Sequence, residues 1–67
     1  MITQQQAQKN TQKDAQTALG DLEAYKVDVT LQFDGWHVDY ILKGSETISA
    51  QYVVDEDNGE VTSAKHE

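Results

Sequence analysis

The sequence predicts an α+β domain, one N-terminal helix packed on a three- to four-stranded antiparallel β-meander. Three observations carry this. Apolar residues recur at helical spacing as far as Leu22, the period then changes to two, and Asp34-Gly35 stands between two alternating runs.

The helix reads from Thr11-Gln12-Lys13-Asp14, which has the spacing of a capping box with Asp in place of the usual Glu. Ala15, Ala18, Leu19 and Leu22 follow at i, i+3, i+4 and i+7, one stripe of a helix, and Thr11 and Ala7 extend it backwards. Gly20 costs about 1 kcal/mol inside a helix, so the helix is expected to end there or to fray through Ala24. Residues 1–10 are Gln-rich and nearly without apolar pattern, and are expected to be a flexible tail, disordered or loosely helical. The folded domain is then residues 11–64, with 65–67 frayed.

From Tyr25 onward Val27, Val29, Leu31 and Phe33 alternate with Asp28, Thr30, Gln32 and Asp34, as in a half-buried strand. Asp34-Gly35 reads as a type I′ turn with both residues at positive φ. That turn places Phe33 opposite Trp36, Leu31 opposite Val38, Val29 opposite Tyr40 and Val27 opposite Leu42, all on one face. Lys43 to Thr47 is a loop, and Ile48, Ala50, Tyr52 and Val54 continue the apolar face on a third strand. A four-residue turn, Glu56-Asp57-Asn58-Gly59, sets Val54 opposite Val61 and keeps Val61 in the core.

The helix stripe covers that apolar face. The other face carries Asp28, Thr30, Gln32, His37, Asp39, Ile41, Gln51, Val53, Thr62 and Ala64, with His37 beside Val53, Asp39 beside Gln51 and Ile41 beside Ser49. It is polar with a small apolar island, a mixture that suits a protein interface with a dry centre and a polar rim. Gln32, His37, Asp39, Ile41, Gln51, Val53 and Thr62 are therefore the candidate protein-binding residues.

Sixty-seven residues allow one domain with a modest core, and the absence of cysteine removes disulfide staples and thiolate zinc sites. Five lysines stand against twelve acidic residues with no arginine. The net charge of −7 argues against nucleic acid and anionic membranes as direct ligands, and favours basic partners. No stretch is apolar for long enough to span a membrane, and Met1 to Gln6 have neither a basic n-region nor an apolar h-region. As written the chain reads as cytoplasmic; a fragment of an exported protein would be extracytoplasmic.

Catalytic patterns are weak. His37 and Asp39 project to the same side of a strand and could orient an imidazole, but no nucleophile stands at a strained turn beside them. Asp55-Glu56-Asp57-Asn58-Gly59-Glu60 is the densest acidic run, yet Gly59 is fifth from Asp55 where a calcium loop needs glycine sixth, and its flanks are strands. Trp36, Tyr25, Tyr40 and Tyr52 lack the neighbouring cations of a nucleic-acid stacking platform and read as core. The expectation is no enzyme activity, no metal and no cofactor.

Residues 11–64 resemble a PepSY domain. The likeness lies in the alanine-rich helix with Ala15, Ala18 and Leu19, in Val27-Asp28-Val29-Thr30-Leu31, and in the strand ending at Val38-Asp39-Tyr40. Val53-Val54-Asp55-Glu56-Asp57-Asn58-Gly59-Glu60-Val61 is similar to the family's closing turn, with Asn58 in place of its Thr. The resemblance implies a secreted or membrane-attached module that restrains peptidases or binds near them. Gly35-Trp36 and Tyr52-Val53-Val54-Asp55 are similar to the gas-vesicle accessory protein O family, whose arginine-rich end is missing here. The function expected is a non-catalytic protein-binding module, with a protein partner or a second copy on the uncovered face. The competing expectations are an acidic mimic of nucleic acid that occupies a basic groove on its target, and a gas-vesicle accessory protein.

Overall fold

The computed structural model describes residues 1–66. Its helix starts earlier than the Thr11 box. The Thr3 hydroxyl accepts from the Gln6 N–H at 3.2 Å and the Gln6 Oε1 accepts from the Thr3 N–H at 2.9 Å, a reciprocal capping box. Helix α1 therefore spans Gln4–Leu19, and residues 4–10, expected in a flexible tail, are its first turns. The physical reason is a seam of small residues. Ala7, Thr11 and Ala15 are all fully buried one turn apart, while the glutamines between them, good helix formers, face solvent. Ala18, expected on the stripe, is exposed.

The start of the chain is also tied down. The Ile2 N–H donates to the Glu56 carbonyl at 2.7 Å, and the Trp36 Nε1–H donates to the Ile2 carbonyl at 3.3 Å. Asn10 Nδ2 donates to the Gly59 carbonyl at 2.8 Å. At the other end Gly20 takes φ +83° and its N–H donates to the Gln16 carbonyl, closing the helix. Asp21 then caps a short 3₁₀ turn, Leu22–Ala24.

Strands β1 Tyr25–Gln32, β2 Gly35–Leu42, β3 Ile48–Val54 and β4 Val61–His66 form one antiparallel sheet in the order β1-β2-β3-β4. The fold class is thus the predicted one, a helix on a four-stranded meander.

The first hairpin departs from its predicted register by two residues. Leu31 pairs with Trp36, Val29 with Val38, Val27 with Tyr40 and Tyr25 with Leu42. The turn residues are Phe33 and Asp34, neither at positive φ, and Gly35 opens β2 at φ +129°. The cause is β3. A Cβ on Gly35 would lie 2.3 Å from the Val54 carbonyl oxygen, so the residue at this crossing must be glycine, and glycine cannot also serve inside the turn. A shift of two keeps every side chain on its face. Phe33, however, is carried out of the sheet to the hairpin tip, where it is 99% exposed.

Two bulges adjust the other pairings. Ile41 pairs with Ile48 rather than Ser49, and Ile48, expected in the core, is 40% exposed. Val54 pairs with Val61 as expected, but Thr62 is then the extra residue, Ser63 pairs with Val53, and Ala64 pairs with Tyr52. Ala64 therefore belongs to the helix-covered side, and Val61 lies at its rim, 38% exposed. Lys65 and His66, expected to fray, pair with Gln51 and Ala50; Glu67, the last residue of that predicted frayed end, lies outside the described residues.

The core sits between the small-residue seam of α1 and two tyrosines. Tyr40 and Tyr52 meet edge to face with centroids 5.8 Å apart, flanked by buried Val38, Ala50 and Val54. Leu19, Leu22, Val27, Val29 and Trp36 pack around this centre half-buried. A slim helix over large rings lets the two layers approach closely.

Candidate functional site

Direct pairing sets the uncovered face out in rows. One row runs Asp28, Asp39, Gln51, Lys65 and the next Thr30, His37, Val53, Ser63. A third begins Lys26, Ile41, Ile48. His37 beside Val53 and Asp39 beside Gln51 are the predicted neighbours.

Of the predicted site residues, His37, Gln51, Val53 and Thr62 line one shallow concavity, joined by Asp34 and Lys65. Thr62 is fixed there by the bulge, its hydroxyl donating to the Val53 carbonyl at 3.3 Å. Asp39 and Ile41 are half-buried on strand β2, Ile41 against Ile48. Gln32 lies apart, at the end of β1, with its amide 3.4 Å from the Thr30 hydroxyl.

His37 does not join Asp39. Its Nε2 lies 2.6 Å from Asp34 Oδ1, across the start of β2, because the two-residue turn folds Asp34 back over the strand. The hydrogen bond from His37 holds the exposed Asp34 carboxyl below its usual range. Asp39 Oδ1 is instead buried with no hydrogen-bond partner among the described residues, and Asp39 stands directly opposite Asp28. Two like charges across a strand pair oppose each other.

The acidic turn is internally committed. Asp55 Oδ1 accepts from the backbone N–H groups of Asp57 at 2.8 Å and Asn58 at 3.3 Å, and Asn58 Oδ1 accepts from the Glu60 N–H at 2.8 Å. The Asp55 N–H donates to the Glu60 carbonyl at 2.7 Å, which closes the loop. Gly59, at φ +76°, is packed against Asn10 and Ile2.

A second polar cluster escaped the sequence reading. The Tyr52 hydroxyl donates to Asp14 Oδ2 at 2.8 Å and accepts from His66 Nε2 at 2.9 Å, clasping α1 to β3 and β4. Burial, with the Asp14 hydrogen bond and charge behind it, pushes the Tyr52 hydroxyl far above the usual tyrosine range. Only the β3–β4 register brings His66 there, and the weak last strand gave no hint of it. Among the described residues no three His, Cys, Asp or Glu side chains converge as metal ligands would, and no helix is long and apolar enough to cross a membrane.

No family model, curated protein or solved structure matches this chain.

Proposed function

We propose that this chain is a small non-catalytic protein-binding module that docks through its uncovered sheet face. The observation that supports the reading is the composition of that face. Ile41 beside Ile48 and Val53 beside His37 flank the polar pair Asp39 and Gln51, so the face mixes apolar and polar side chains as protein interfaces do. These side chains stand on a rigid sheet and need little ordering on association. The likeness to PepSY domains makes peptidases the first class of foreign partner to try, with binding as the mode of restraint.

The test is substitution on the face. Val53→Glu and Ile41→Lys should keep the fold, read by circular dichroism, and abolish association. Neutralising Asp55, Glu56 and Asp57 together should leave association intact, since Asp55 serves its own loop. The reverse pattern, with affinity falling steeply as salt rises, would transfer the function to acidic mimicry of nucleic acid.

A further inference from the structure

We infer that the uncovered face pairs with the same face of a second copy of this chain, about a two-fold axis running along the strands between β2 and β3. This rests on that face being the docking surface. The charges along its central row are ordered, with Asp28 and Asp39 on β1 and β2, then Gln51 and Lys65 on β3 and β4. Rotation about the strand-parallel axis lays β1 over the copy's β4 and β2 over its β3. Asp28 then meets Lys65 of the copy at both ends, and the Asp39 carboxylate meets the Gln51 amide.

The neighbouring rows agree. Ile41 falls over Ile48, His37 over Val53, and Thr30 over Ser63. A two-fold axis across the strands fails the same test, because it sets Asp28 on Asp28, Asp39 on Asp39 and Lys65 on Lys65. The charge order therefore selects one arrangement, an aligned sandwich with strands within about 30° of one another. It also answers a defect of the single chain, since the opposed pair Asp28 and Asp39 gains cationic and amide neighbours.

Four strands spaced about 4.8 Å apart offer a face of roughly 20 by 20 Å, about half the area per partner of a standard interface. An interface of that size belongs with weak, transient associations, so the dimer forms only at high concentration. Each copy carries a net charge of −7, so the measurement belongs at about 0.15 M salt. There the long-range repulsion is screened over about 8 Å and the contact pairs survive.

The experiment is sedimentation equilibrium of the whole chain from about 10 μM to about 1 mM. The wild type should move toward twice its 7.5 kDa mass. D28K and K65D should each weaken the dimer about tenfold or more, because each sets like charges together at both ends. Mixed in equal amounts, the two variants should form a heterodimer at least as tight as the wild type, since opposite charges then meet at both ends. A wild type that stays monomeric at the highest concentration overturns the proposal. So does a mixture that fails to associate, and so do single variants that dimerise like the wild type. Val53→Glu and Ile41→Lys separate the two levels. If they abolish the dimer while the charge-swapped mixture fails, the two-fold arrangement is wrong and the docking face stands. If the wild type dimerises and they leave it untouched, the docking face itself is wrong.

Discussion

The hydroxyls of Thr11 and Tyr40 lie 2.9 Å apart where helix meets sheet, and both residues are essentially without solvent contact. Thr11 also donates to the Gln8 carbonyl at 2.9 Å, so Tyr40 is left to donate to Thr11. Thr11→Val keeps the volume but strands the tyrosine hydroxyl, and should cost about 1–3 kcal/mol. Tyr40→Phe leaves Thr11 its bond to Gln8 and should cost about 1 kcal/mol. The double substitution should cost less than the sum, by urea denaturation at constant m-value.

Residues 1–9 are part of the domain. Their removal deletes the cap at Thr3, the fully buried Ala7, and the tie between Ile2 and Glu56. A domain of this size holds roughly 3–10 kcal/mol in all, so the truncated chain should lose cooperative thermal unfolding. Asn10→Ala, which removes only the bond to Gly59, should lower stability by about 1 kcal/mol and leave the transition cooperative.

Gly35 and Gly20 both take positive φ, yet they should respond differently to alanine. At Gly20 the space is open, and the penalty is backbone strain alone, about 1–3 kcal/mol. At Gly35 the new methyl would drive into the Val54 carbonyl on the neighbouring strand. That change should cost on the order of 3 kcal/mol or more and loosen the β2–β3 pairing, visible as faster amide exchange in β3.

Alkaline pH should unfold the protein through its two core tyrosines. Burial raises the pKa of both the Tyr40 and Tyr52 hydroxyls, with the Asp14 bond and charge adding to Tyr52. Below the unfolded value of about 10 both states are protonated and the stability is fully present. Above it the unfolded chain releases protons that the folded chain holds, so stability falls as pH rises. Tyr52→Phe should lower stability at neutral pH and flatten the decline above about pH 10 in denaturation curves.

The switch of period at Tyr25, the four strands and their faces were legible because alternation is a local property of the chain. The hairpin register was not. Asp34-Gly35 carries a strong turn signal, but the demand on Gly35 comes from Val54, nineteen positions away and on another strand. The start of the helix was hidden for a related reason. Ala7 is buried without being strongly apolar, so the seam of Ala7, Thr11 and Ala15 leaves little hydrophobic trace. Both bulges were invisible, and with them the exposure of Ile48 and the side taken by Ala64. The rows of the uncovered face, His37 with Val53 and Asp39 with Gln51, were readable because they lie between the bulges.

The slim seam of α1 has a thermal consequence. Three alanines, two valines and two tyrosines make up the buried apolar centre, with a threonine among them. Unfolding such a core exposes little hydrocarbon and much hydroxyl and peptide, whose hydration contributes to heat capacity with opposite sign. The heat-capacity increment should therefore fall below the roughly 12 cal/mol/K per residue of ordinary domains, and the stability curve should be broad and shallow. A protein built this way has no tall maximum of stability to lose. It keeps a small margin over a wide span of temperature, in the cold as well as in the warm.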